Sequence, residues 1–194
     1  MKILQCYFTL NEMRRKMVAK KALRFEIGDW IVHYYYGVGE VVDIVDKVLD
    51  EHQETFFKVS TAEIEYWLPS DKADAEHIKP IRSEKEFNQA IQIISKPPDP
   101  ISEPHKRNKK LIHKRWLDGS LPARAALMRD LHGRNNVKVL SYDERETFKK
   151  AEKFFINEWV ISNPSLSRTK ARQRLDEALE TSTQREKLES KQIL

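Results

Sequence analysis

The sequence predicts an α+β protein: a small SH3-like or Tudor-like β-barrel of about five strands, followed by an all-α domain of about five helices. Three observations carry this reading. Short runs of β-branched and aromatic residues fill Phe25 to Ile81, as suits a pleated, half-buried surface. At Ser83 the hydrophobic period changes to that of a helix face, and helical segments recur from there to about Thr181. The charge changes sign at the same place: residues 24–82 carry 6 Lys and Arg against 13 Asp and Glu, and residues 83–194 carry 23 against 16. The overall charge of +5 over 194 residues hides this polarity, and such an asymmetry points to two different partners.

Each element has its own signal. Gly28-Asp29 enters a strand from Trp30 to Tyr35, and Gly37-Val38-Gly39 turns into a second from Val38 to Val48. Thr55–Ser60 and Glu63–Leu68 alternate, with Phe57 and Val59, then Ile64, Tyr66 and Leu68, as the inward set. Leu49–Glu54 is the polar loop before the third strand. Ser83 and Glu86 form a capping box, after which Phe87, Ala90, Ile91 and Ile94 share one helical face. Lys96-Pro97-Pro98-Asp99-Pro100 ends that helix, because a residue before proline avoids helical backbone, and it is the expected hinge. A second helix runs from about Pro104 to Asp118 and stops at Gly119. A third follows Ser120 to about Arg134. The fourth starts from a second capping box, Ser141 with Glu144, and buries Phe148, Ala151, Phe155 and Trp159 before Asn163-Pro164. The last, from Arg168 to about Thr181, buries Ala171, Leu175, Ala178 and Leu179, with a frayed polar tail beyond.

Four segments follow: an extension over residues 1–23, a barrel over 24–82, a basic helical domain over 83–181 and a tail over 182–194. Met13 and Met17 precede the first strand closely, so residues 1–12 or 1–16 are expected to be an upstream start-site extension. MKILQCYFTL is not read as a signal peptide, since its apolar stretch is short and basic residues follow it instead of preceding it. No run reaches the roughly 18 apolar residues of a membrane span. The single Cys6 excludes an intramolecular disulfide and fits a reducing cytoplasm.

The candidate chemistry is electrostatic. His105 to Arg115, HKRNKKLIHKR, holds six Lys or Arg and no acid. On a helix, Lys106, Lys109, Lys110, His113 and Lys114 share much of one face, a footprint suited to phosphates. Arg124, Arg129, Arg134, Lys138, Arg145, Lys149, Lys150 and Lys153 follow and are expected to extend it. Enzyme classes fit poorly. Gly37-x-Gly39 lacks the third glycine and the helix of a dinucleotide site, and the six histidines include no His-x-x-x-His pair. Asp43, Asp46, Asp50 and Glu51 cluster, but at a strand end and loop, and read as solvated charge. Trp30, Tyr34, Tyr35, Tyr36, Tyr66 and Trp67 are read as core and interface aromatics instead of a methyl-lysine cage. No cofactor, metal or catalytic residue is expected.

The stretch FEIGDWIVHYYYGVGEVVDI, with Trp67-Leu68-Pro69 later, resembles the N-terminal module of the CarD/CdnL family of bacterial transcription regulators. Ala126-Leu127-Met128-Arg129-Asp130-Leu131 and Leu140-Ser141-Tyr142-Asp143-Glu144-Arg145 fall where that family's helical half has its V-V-R-D-L and G-L-S-x-x-E-[KR] patterns. The barrel alone also resembles the polymerase-binding module of transcription-repair coupling factors. The resemblance implies a protein that is not an enzyme, tethered to the RNA polymerase β subunit through positions matching Lys47 and Trp67. It further implies promoter DNA contact at the positions of His105 and Arg145, and the basic run itself adds Lys106, Arg107, Lys109, Lys110 and Lys114 as phosphate contacts independent of sequence. In the family a tryptophan at the start of the equivalent helix wedges into the minor groove, and His105 stands there here. A cytoplasmic monomer is expected. The alternative reading is a protein–protein adaptor whose basic helices bind an acidic protein and not DNA.

Overall fold

The computed structural model describes residues 23–49, 52–75, 77–99 and 105–192. Among them, five strands precede five helices: β1 Trp30–His33, β2 Gly37–Leu49, β3 His52–Thr61, β4 Glu65–Pro69, β5 Ile78–Pro80, then α1 Glu84–Ile94, α2 His105–Asp118, α3 Leu121–Val137, α4 Tyr142–Ser162 and α5 Arg168–Gln192. The strands form one sheet in the order β4-β3-β2-β1-β5. The expected α+β layout is therefore present. Residues 1–22 lie outside the described residues, and with them nearly all of the expected extension.

The described residues pack as two compact units. The first holds the residues up to Asp29, Glu40–Ser60 and Glu65–Ala75. Here the Gly-Asp step has a direct role. Gly28 N donates to the Val41 carbonyl and Val41 N donates to the Asp29 carbonyl, both at 2.8 Å, while the Asp29 carboxylate accepts from Glu26 N at 2.7 Å. Phe25, Val41, Phe57, Val59 and Leu68 form the core, with the Phe25 and Phe57 rings edge to face at 5.8 Å. In the β3–β4 hairpin Phe57 faces Leu68 and Val59 faces Tyr66, so the alternation in both strands turns the same side inward. Asp46 accepts from Thr55 Oγ1 at 2.6 Å and from Gln53 Nε2 at 3.3 Å, so this carboxylate is a cross-strand partner.

The second unit holds Trp30–Gly39, Thr61–Ile64 and the residues from His77 onward. β1 is shorter than the sequence suggested, because Tyr34–Tyr36 form a turn. His33 organises that turn: its Nδ1 accepts from the backbone N–H of Tyr35 at 3.1 Å and of Tyr36 at 3.3 Å. Gly37 leaves the turn at φ +81°, and a Cβ there would stand 3.1 Å from the Phe154 ring, so both backbone sign and space call for glycine. Ile64, expected inside, is 43% exposed. It belongs to a turn in which Thr61 Oγ1 accepts from Glu63 N and Ile64 N, and the turn breaks the alternation before β4 begins.

The helices form around one cluster that includes Phe87, Ile94, Ala125, Met128, Phe155, Trp159 and Leu175. Phe87 stacks on Trp159 at 5.7 Å, and Phe155 meets both edge-on. Both capping boxes are made, Ser83 with Glu86 and Ser141 with Glu144. Ser120 Oγ accepts from Ala123 N at the start of α3.

Two expectations are corrected. The described part of the Pro-rich stretch is anchored, not a free hinge. Asp99 N donates to Asp130 Oδ1 at 2.9 Å, and the Asp99 carboxylate pairs with Arg129 at 2.5 Å and Arg115 at 3.4 Å. Pro98 lies over Gly133, where an added Cβ would come within 2.6 Å of it. Proline removes backbone freedom, and the ion pairs supply a fixed partner. The C-terminal tail, in turn, does not end its helix near Thr181, since α5 continues to Gln192. That segment contains no Gly or Pro and is rich in residues that favour helix without burial.

Candidate functional site

Two groups of exposed side chains stand out, one in each unit. In the first unit, Trp67 on β4 is 42% exposed, and Lys47 Nζ from β2 lies 3.6 Å from its ring centroid and 5.6 Å from that of Phe56. β3 holds β2 and β4 two strands apart, so residues far apart in sequence share one face. The ammonium is held by the ring quadrupole while the indole stays open to a partner. The two positions singled out from the sequence are thus brought together, and Trp67 is not a core residue.

In the second unit, the α2 helix divides by face. Lys109, Lys110, His113 and Lys114 are exposed. Ile112 and Trp116 turn inward, packing against the cluster of Leu127, Leu131 and Leu140. His105, Lys106 and Arg107 make the first turn of α2, but their side chains lie outside the described ones. Arg145 on α4 is exposed. Lys109 reaches Asp143 at 3.4 Å and Lys149 pairs with Glu146 at 3.0 Å, both in solvent, where such pairs contribute little and exchange readily. Trp116 meets the Phe154 ring at 5.9 Å, with Lys150 Nζ 5.3 Å from both rings.

Several arginines counted with this footprint are structural. Arg129 is buried against Asp130 at 2.7 Å, and Arg115 also pairs with Asp130. Arg134 pairs with Glu144 at 3.3 Å. Arg124 lies 3.5 Å from the buried Glu158, and burial lowers its pKa to about 10 despite that carboxylate. Arg82 completes the group: its Nη1 donates to both Glu158 oxygens, at 3.1 and 2.8 Å, and its Nη2 to the Gly119 carbonyl at 2.6 Å. The available sequence signal was residue type. Guanidinium suits buried, multidentate pairing and ammonium suits solvent, and apart from His113 and Arg145 the exposed described residues of the footprint are lysines. The carboxylate partners lie too far along the chain for spacing to reveal them.

Among the described residues, no group of three or more His, Cys, Asp or Glu could hold a metal ion, and no helix is long and apolar enough to cross a membrane.

The described residues thus combine a small antiparallel sheet with a helical unit that presents a lysine-rich face. Residues 25–82 match the CarD-like/TRCF RID domain, and residues 89–176 match the CarD C-terminal domain. The chain is 24% identical over 139 residues to a Bacillus subtilis (strain 168) protein named "Putative transcription factor YdeB", covering 71% of this chain and 91% of that protein. The chain belongs to the CarD-like family. Its role is accordingly in transcription, in a family of regulators that are not enzymes, and the N-terminal match implies interaction with RNA polymerase.

Proposed function

We propose that this CarD-like protein binds the RNA polymerase β subunit through the face carrying Lys47 and Trp67, and touches promoter DNA through α2 and the start of α4, altering the stability of the open complex in the cytoplasm. The observation that carries the DNA reading is the division of α2. Lys109, Lys110 and Lys114 stay in solvent, whereas Arg115 on the same helix is committed to Asp130 and Asp99. Lysines on one exposed face neutralise phosphates without reading bases. Tethering to polymerase raises their effective concentration at the promoter, so weak contacts suffice.

The test uses the full-length chain and a labelled duplex. Log affinity should fall linearly and steeply with log salt, and Lys109→Glu, Lys110→Glu and Lys114→Glu together should weaken binding at least tenfold. Trp67→Ala should reduce recovery of the β subunit in a pull-down without changing the circular dichroism spectrum. Absence of duplex binding at low salt, or indifference to the charge reversal, would replace this reading with that of an adaptor for an acidic protein.

A further inference from the structure

The helices α2 and α4 leave a cleft between them that the proposed contacts do not use. On α2, Ile112 and Trp116 stand one turn apart, and on α4 Thr147 and Lys150 do, so each helix gives one face to it. Tyr35, from the turn after β1, completes the wall. All of these residues belong to the second unit. The cavity measures about 610 Å³, the size of sites that take small molecules. Its inner wall is apolar. Ile112 and Trp116 are only half-buried: part of each packs on the cluster of Leu127, Leu131 and Leu140, and the rest is left to the cleft.

The charges that line the cleft differ in what answers them. The acids are paired: Asp143 with Lys109 at 3.4 Å, Glu144 with Arg134 at 3.3 Å and Glu146 with Lys149 at 3.0 Å. Lys150 has no carboxylate partner among the described residues. Its ammonium lies 5.3 Å from the ring centroids of both Trp116 and Phe154, where the ring quadrupoles hold it in place without cancelling its charge. We propose that the cleft binds a small, flat aromatic molecule carrying one anionic group, with its rings against Trp116, Ile112 and Tyr35 and its anion on Lys150. Aromatic walls favour a conjugated ring over a flexible chain, because ring–ring contact adds to the gain from burial. One unanswered ammonium suits one negative charge. The inference does not depend on polymerase or DNA binding, since it assigns a ligand to Ile112, Trp116 and Lys150, to which that reading gives no part.

The experiment titrates the full-length protein with 1-anilinonaphthalene-8-sulfonate and with N-phenyl-1-naphthylamine, the same ring system without the sulfonate, reading dye emission and, by calorimetry, stoichiometry. The unaltered protein should bind the sulfonate at a single saturating site. Lys150→Met, which keeps an apolar stem and drops the charge, should lose about tenfold in sulfonate affinity and leave affinity for the uncharged dye as it was. Thr147→Trp, which fills the cleft, should lose both dyes while its circular dichroism spectrum matches that of the unaltered chain. Should that variant fail to fold, Lys150→Met decides alone. No saturable binding of the sulfonate, equal sulfonate affinity in Lys150→Met, or dye binding retained by a folded Thr147→Trp would overturn the proposal. Laurate bound as tightly as the sulfonate would make this a site for flexible chains, and dye binding that weakens as protein concentration rises would mean that a second copy covers the cleft. Either result refutes the assignment of an aromatic anion.

Discussion

Glu158 is the residue on which most depends. Its carboxylate is almost fully buried and faces two buried guanidiniums, Arg82 at 2.8 Å and Arg124 at 3.5 Å. Glu158→Gln would leave both cations without a counter-charge, and the expected cost is about 3–5 kcal/mol of unfolding free energy, measured by urea denaturation. His33 gives a pH signature. Burial, reinforced by His77, lowers its pKa from 6.5 to about 4, and its Nδ1 already accepts two backbone N–H groups, which a proton there would oppose. Between these values the unfolded chain binds the proton and the folded chain does not. Stability should therefore fall by up to about 2–3 kcal/mol as pH drops from 6.5 to 4, and level off about a unit below that. Thermal melts across this range should show the loss, and His33→Asn, which keeps an acceptor near the Nδ1 position but does not titrate, should flatten it. Neither role was legible in advance. Arg82 and Glu158 are 76 residues apart, and one histidine among aromatics does not announce its acceptors.

At the scale of elements, the sequence was most informative where one segment determines its own structure. Ser83 with Glu86 and Ser141 with Glu144 marked helix starts because a cap is completed within four residues. Phe87, Ala90 and Ile94, or Ala171, Leu175 and Ala178, showed their buried face because helical period needs no distant partner. It was least informative where a segment is held by another. Lys96 to Pro100 reads as a hinge by composition, yet Asp99 is secured to α3 and α2 by Arg129, Arg115 and Asp130. Asp130→Ala should leave two guanidiniums without their shared buried carboxylate and release Asp99. Faster hydrogen exchange at Asp99, with slower effects in the α1 interior, is the expected outcome by mass spectrometry. Unchanged exchange at Asp99 would show that Pro98 against Gly133 suffices. The candidate surfaces were legible in part: Lys47 and Trp67 do meet, and the lysines of α2 do share an exposed face. Arg124, Arg129 and Arg134 were indistinguishable from them by charge.

At the scale of the whole molecule, the opposed charges of the two halves gain meaning from which cations are free. The helical half owes part of its positive count to arginines that balance buried carboxylates, so its effective field comes from fewer groups than composition implies, mainly lysines. The C-terminal helix adds a different consequence. Ser182 Oγ donates to the Lys96 carbonyl at 2.6 Å, and Arg185 reaches the Ser95 carbonyl at 3.1 Å, so the last helix completes the end of the first. Arg174 Nη2 also donates to the side-chain oxygen of Asn88 within α1 at 3.1 Å. A ribosome making this chain has finished α1 roughly ninety residues before it makes the partner that closes it, and contacts of such long separation form late. The helical unit must then remain open during its own synthesis, its aromatic core exposed until the final helix leaves the exit tunnel. Released chains truncated before Ala171, which lack Leu175, Ala178 and Leu179, should be degraded or bound by chaperones far more than the full-length chain, a difference that pulse-chase labelling would register.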